Sequence, residues 1–184
     1  MFRQVLGRFY LTLHPRPAYV IGSGSYGSKA NFMAASWVTP VAEEPPRLAV
    51  AIDKESLTWE LIRGYKEFTV NVLDGTYLSK IYYVGSRSGR EVDKVSGLGL
   101  KVSRGEKVSS PIISEALAIL ECKLFNYLEC GDTVLIVGDV VRCVAKEEVF
   151  EERRGWDLGR VRIPLHIWGR AFSFPSGIKY AKLS

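Results

Sequence analysis

The sequence predicts a mainly β protein, an antiparallel barrel of six or seven strands with two or three short helices, and three observations lead there. First, Glu67–Leu73 alternates, placing Phe68, Val70 and Val72 on one face and Thr69 and Asn71 on the other, the period of a strand. Ala118, Leu120, Cys122 and Leu124 repeat this pattern opposite Glu121 and Lys123. Second, residues 133–145 are Val-rich and apolar on both sides of Gly138, as in a strand covered on both faces. Third, helical spacing is confined to two short runs, Leu57–Gly64 and Thr76–Val84. Closing such strands into a barrel removes exposed edges.

Taken in order, Phe9–Leu13 is apolar and aromatic, and Pro15 and Pro17 then impose an extended run into a strand at Ala18–Ile21. Gly22–Ser28 is turn material. It is not a phosphate-binding loop, because it lacks G-x-x-x-x-G-K-S/T and a following helix. Lys29 opens an extended segment of small residues, and Pro40–Pro46 reads as a stiff exposed loop before a strand at Leu48–Ile52. Ser56 caps the first helix and Gly64 stops it. Gly85–Gly89 reads as a Ser- and Gly-rich loop able to move, and Gly97–Ile113 as irregular surface chain. Lys146–Gly155 is a charged, solvated segment, followed by two final strands at Val161–Trp168 and Ala171–Phe174.

The 184 residues suit one domain over 1–184, and 47% hydrophobic with 24% charged residues is ordinary for a soluble globular chain. Lys and Arg number 25 against 20 Asp and Glu, a net +5, yet no basic run exceeds two residues. Arg153-Arg154 sits among Glu147, Glu148, Glu151 and Glu152, so a nucleic-acid partner is not expected. No segment approaches the ~20 apolar residues of a membrane span, and Met1–Arg8 has no signal-peptide core; a cytoplasmic protein is expected. Cys122, Cys130 and Cys143 show no C-x-x-C spacing. If Gly131-Asp132 is a turn, Cys122 and Cys143 lie on adjacent strands, either bridged or as separate core thiols. His14 and His166 form no metal-ligand pattern, and no G-x-S-x-G elbow points to a hydrolase.

The chemistry concentrates in Lys29–Leu61. Ala30, Ala34, Ala35 and Ser36 on a strand let a flat ligand approach the backbone. Lys54, Ser56 and Thr58 at a helix start offer a cation, hydroxyls and free N–H groups, which suit a phosphate. A flat ring at one end and a phosphate at the other describe flavin mononucleotide (FMN). The stretch also resembles the flavin reductase-like, FMN-binding split-barrel family, which includes flavin reductases, ferric reductases and flavoredoxin. That resemblance rests on Asn31, Met33, Ala35, Ser36 and Trp37; on Pro45, Pro46, Val50 and Ile52; on Lys54, Ser56 and Thr58; and on Ser88-Gly89-Arg90-Glu91-Val92-Asp93-Lys94. It continues more weakly through Ala118–Val141.

The resemblance implies a homodimeric split barrel binding one FMN per subunit. Its expected cofactor contacts are Asn31, Ala35, Ser36, Trp37, Lys54, Ser56, Thr58, Arg90, Lys94 and His166. Each also has a plain structural reading: Trp37 and His166 as core rings, Ser56 as a helix cap, Arg90 and Lys94 as surface cations. Thr133 stands where several relatives carry His after Gly-Asp. The implied function is NAD(P)H-dependent reduction of flavin, with electrons passed to free flavin, a ferric chelate, oxygen or a partner oxygenase. The alternative is a flavoredoxin-like electron carrier. No nicotinamide-binding motif is legible to separate them.

Overall fold

The computed structural model describes residues 2–181. In chain order the strands are β1 (Arg16–Pro17), β2 (Tyr19–Gly24), β3 (Ala30–Ala35), β4 (Val38–Ala42), β5 (Arg47–Asp53), β6 (Glu67–Val72), β7 (Val102–Arg104), β8 (Pro111–Ile113), β9 (Ala118–Cys130), β10 (Thr133–Ala145), β11 (Phe150–Glu151), β12 (Gly155–Trp156), β13 (Leu165–Trp168) and β14 (Ala171–Ser173). The α-helices are α1 (Leu57–Tyr65), α2 (Leu78–Ser86) and α3 (Lys94–Leu98). Seven strands form the main antiparallel sheet in the order β3-β2-β6-β9-β10-β5-β4. β3, at one edge, packs near β5 at the other end without pairing to it. The sheet is therefore an antiparallel split barrel, as the alternation predicts.

Inside the barrel, Ile21, Val50, Ile52, Phe68, Val70, Cys122 and Ile136 share one core with Trp59 and Ile62 of α1. Gly138 is required there, since a Cβ would sit 2.6 Å from the Phe68 ring. On the outer face, Val20, Phe32 and Leu73 pack with Ile81, Val84, Leu98 and Ile113 under α2 and α3. β2 and β3 are thus covered on both sides. A third cluster joins Val72, Leu117 and Ala118 to Val149, Val161 and Ile163.

Thr69 and Asn71, expected on the polar face of their strand, are fully buried. They fasten a hairpin over the sheet: Asn71 Oδ1 accepts from Ile113 N at 2.9 Å, and the Thr69 hydroxyl donates to Pro111 O at 2.6 Å. The segment Gly97–Ile113 is consequently not irregular throughout; β7 pairs with β8. Glu121 faces outward as predicted but is buried under residues 106–108, whose three amides donate to its carboxylate at 2.6–3.2 Å. Arg142 completes the arrangement at 3.0 Å.

Other boundaries shift for local reasons. Pro40 lies within β4, tolerated because β4 is an edge strand. α1 runs past Gly64 and ends at Lys66, whose left-handed backbone (φ 61°) closes the helix onto Ile62 O. α2 extends through Ser86, so the loop before Gly89 is shorter than the Ser and Gly content suggests. The charged segment after Lys146 contains the short β11–β12 hairpin, and Leu6–Leu13 winds into a 3-10 helix with no buried residue. Cys122, Cys130 and Cys143 are all free.

Removing the Glu121 carboxylate leaves three amides without their acceptor and Arg142 with only the exposed Glu106 carboxylate at 2.7 Å, a loss of about 3–5 kcal/mol. Glu121→Ala is expected to lower unfolding stability in urea by that amount. Glu121→Gln, which keeps an acceptor, is expected to cost about half as much.

Candidate functional site

The site forms where β3, α1 and α2 converge. α1 begins at Ser56, whose oxygen accepts from Trp59 N at 3.2 Å while its hydroxyl donates to Asp53 O at 2.7 Å. Asp53 also turns the chain there, accepting from Glu55 N at 2.7 Å. Helix geometry leaves the amides of Leu57 and Thr58 without intrahelical acceptors. Lys54 is exposed at this helix start. Thr58 is 1% exposed and accepts a hydrogen bond from Asn31 Nδ2 at 3.0 Å. The other side-chain atom of Asn31, Oδ1, is buried without a partner. Gly89 packs against that oxygen so closely that a Cβ would collide with it.

A slot of about 310 Å³ opens between β3 and α2, lined by Ala34, Ala35 and Ser36 on one wall and Ile81, Tyr82 and Gly85 on the other, with His166 and Phe172 at one end. Small residues let its two walls meet at one point: a Cβ on Gly85 would stand only 2.9 Å from the Ala34 methyl. The volume lies at the lower end of the ~300–1,000 Å³ typical of small-molecule pockets.

His166 lines the end of the slot and His14 packs against it, both in defined tautomers. Carbonyls only accept, so His14 Nδ1–H donates to His166 O (3.0 Å) and His166 Nε2–H donates to Gly169 O (3.3 Å). His166 Nδ1 is then the acceptor for the Ser36 hydroxyl at 3.5 Å. Burial pulls the His166 imidazole below its ordinary pKa, the Gly169 carbonyl partly opposes this, and His14 adds to the fall. The shift favours the neutral imidazole in the slot. His14, for which the sequence shows no partner, packs edge-on against His166 at 5.4 Å and also touches Tyr10.

The ten sequence-derived residues fall into distinct groups. Asn31, Lys54, Ser56 and Thr58 meet at the start of α1; Ala35, Ser36 and His166 meet in the slot. Trp37 is half-buried just beyond β3, edge-on to Tyr10 at 5.6 Å. Arg90 is drawn to Glu60 (2.7 Å) and Glu55 O (3.3 Å). Lys94 is 4% exposed and donates to Val84 O, in the last turn of α2, at 2.7 Å. The sequence reading missed Tyr82, Gly85, Phe172 and His14. Helical spacing placed Tyr82 on α2, but nothing local reported that α2 would face β3. Among the described residues no cluster of His, Cys, Asp and Glu suits a metal ion, and no helix is long and apolar enough to cross a membrane.

This combination of a split barrel, a slot of small residues and a polar helix start defines a class of proteins that hold a flat heteroaromatic group. The flavin reductase like domain model matches residues 11–173, and the chain belongs to that family. A protein from Pyrococcus abyssi is 37% identical over 142 residues, covering 77% of this chain and 81% of that one. A flavin reductase from Pseudomonas putida is 31% identical over 139 residues, covering 76% and 75%. Among solved structures, an FMN-binding protein from Thermus thermophilus superposes with a TM-score of 0.84 at 26% identity, covering 99% and 98% of the two chains. Flavoredoxin from Methanosarcina acetivorans gives 0.78 at 31% identity, covering 91% and 88%.

Desolvation lowers the Lys94 pKa from 10.5 to about 8. The unfolded chain thus holds a proton that the folded chain has released between those values, and stability attributable to this group rises with pH across the window. Below about pH 8 the cost of burying the ammonium is present in full. Wild type is therefore expected to gain stability relative to Lys94→Met between about pH 8 and 10.5, read from paired urea titrations. A difference that stays flat across that range rejects a displaced lysine pKa.

Proposed function

We propose that the protein is an FMN-dependent oxidoreductase, taking hydride from NADH or NADPH and delivering electrons to free flavin, a ferric chelate or a partner oxygenase. The observation that carries this reading is the small-residue slot between Ala34–Ser36 and Gly85. The buried, unpartnered Asn31 Oδ1 adds a free acceptor, and the start of α1 adds an anion site. The residues present fit FMN. A bound flavin supplies hydride and single-electron transfer, and the chain supplies position and surroundings.

In this reading Lys54 and the first amides of α1 hold the phosphate. Asp53 at the same turn limits how much negative charge the site accepts. Asn31 accepts from a polar hydrogen of the ligand, while Thr58 fixes its amide. Tyr82 and Phe172 shed water from the slot, and Trp37 borders it. The Ser36 hydroxyl, oriented by neutral His166, offers a fixed dipole at the slot's end. Lys94 anchors the C-terminal end of α2 and so sets the slot's width from behind. The segment from Arg87 to Asp93, outside any helix, is where a nicotinamide dinucleotide is admitted, Arg87 or Arg90 meeting its phosphates.

We also take the protein to be a cytoplasmic homodimer; the free cysteines and the exposed Phe125, Tyr127 and Leu128 of the β9–β10 hairpin support this. Reconstitution with excess FMN followed by gel filtration is expected to return yellow protein at twice the 20.6 kDa chain mass. Lys54→Ala is expected to weaken FMN roughly tenfold, the size of one lost charge-assisted contact, and to leave riboflavin little affected. Colourless protein with no quenching of flavin fluorescence rejects the reading.

A second reading, a flavoredoxin-like electron carrier, is favoured by the likeness to the Methanosarcina acetivorans flavoredoxin. Oxygen-free stopped-flow mixing of FMN-loaded protein with NADH and with NADPH separates the two. A reductase is expected to bleach with at least one nucleotide, and Arg90→Ala to raise KM more than it lowers kcat. Flavin that stays oxidised for minutes with both, yet bleaches with a protein donor, identifies the carrier.

A further inference from the structure

A second concavity lies on the other side of the Gly85–Gly89 segment from the slot. It has a volume of about 560 Å³ and is walled by Tyr26–Ala30, Leu57 and residues 89–93 with Val95. Two features single it out. Its cations, Lys29 and Arg90, come from separate segments yet converge on one carboxylate: Lys29 Nζ lies 2.8 Å from Glu60 Oε1, and Arg90 Nη1 lies 2.7 Å from Glu60 Oε2. Both hydrogen bonds hold the Glu60 carboxyl below its ordinary pKa. At its rim the Tyr26 side chain is 43% exposed, an aromatic face with a fixed backbone, since Tyr26 N donates to Ser109 O at 2.8 Å.

Two cations sharing one carboxylate bind the negative group that a phosphate presents, in the same geometry of paired oxygens. Of the other acids at the groove, Asp93 does not compete for them. Asp93 directs both oxygens to its own helix, accepting from Val95 N, Ser96 N and the Ser96 hydroxyl. Glu91 is exposed at the border. Glu60 is itself in the first turn of α1, so when it releases its cations it remains favourably placed near a helix N-terminus.

We propose that this groove is a subsite for an adenosine diphosphate moiety, adjoining the phosphate site at Lys54 and Ser56 through Leu57 and the Arg90 bond to Glu55 O. Lys29 and Arg90 bind its phosphates, Tyr26 is the platform for its base, and Glu60 is the internal anion that the ligand displaces. This rests on the flavin reading above only for its biological source. The moiety is shared by flavin adenine dinucleotide (FAD) and by nicotinamide dinucleotides, and the groove's proximity to the Arg87–Asp93 segment serves either.

The test uses ADP itself, titrated by calorimetry into the full-length protein, with and without FMN. Binding is expected at up to about millimolar concentration and to weaken as salt rises. Lys29→Ala and Tyr26→Ala, both at exposed positions, are expected to weaken ADP at least severalfold while FMN affinity stays within about twofold. Glu60→Gln is the decisive variant. Freeing two exposed ion pairs is expected to tighten ADP roughly threefold to tenfold. The source is then read from two further titrations: FAD binding more tightly than FMN, with the difference lost in Lys29→Ala, assigns the groove to the flavin dinucleotide. NADH binding to FMN-loaded protein that ADP competes away assigns it to the nicotinamide dinucleotide. No ADP binding in wild type and Glu60→Gln overturns the proposal, even if FMN binds normally. A Glu60→Gln change that weakens ADP as much as Lys29→Ala also overturns it, because Glu60 would then be a support for Arg90 and not a competitor. Loss of FMN binding with ADP retained fails the flavin reading and leaves the groove intact.

Discussion

The hydrogen bond from Asn31 to Thr58 closes the molecule. The main sheet starts at β3 and ends beyond β5, and these distant strands touch without forming a ladder. Something else has to hold the split together. Trp59 and Ile62 do so by packing into the barrel, and Asn31 does so by directional bonding to the residue just before Trp59. The bond uses one half of the amide and leaves the other half buried under Gly89 without a partner. A polar group in that condition costs stability unless something meets it. The seam that completes the barrel therefore carries a buried polar atom left over from the bond that closes it.

The small side chains next to it follow from the same economy of space. Ala34 and Gly85 let α2 approach β3, while Val20, Phe32, Ile81 and Val84 fill the layer around them. The slot is what remains where the layer runs out of large residues. His166 terminates it with His14 packed against its ring, each with its tautomer set by a backbone carbonyl. The proton arrangement at that end is thereby dictated by the main chain and not by solvent.

Much of this was legible in the sequence wherever the signal is local. Alternation in Glu67–Leu73 marked the strand, Ser56 marked the helix start, and the small residues after Lys29 marked an extended segment that is β3. What stayed hidden depends on contacts across long separations. Glu121 looks like a solvent-facing residue of an amphipathic strand because the loop that covers it, residues 106–108, carries no periodicity of its own. Thr69 and Asn71 look polar for the same reason; their partners are 42 residues away, at Pro111 and Ile113. Lys94 reads as a surface cation, and only the fold shows it under the end of α2. Lys66 ended a helix where Gly64 was the better residue, its left-handed backbone closing the last turn onto Ile62 O.

The long hairpin of β9 and β10 is sheared relative to its neighbours. β6 pairs only with the first part of β9, up to Lys123, and β5 only with the first part of β10, up to Asp139. Each long strand thus has an inner edge that is paired throughout and an outer edge that is bare over its second half. The two bare halves lie at opposite ends of the hairpin. Register breaks at Phe125 and Val141 shift the alternation near the point where each outer partner ends. In deuterated water the pair should therefore carry a two-phase pattern of protection. Every amide up to the breaks should resist exchange. Beyond them only alternate amides should, with the fast positions on β9 and those on β10 marking the two free corners of an otherwise closed wall.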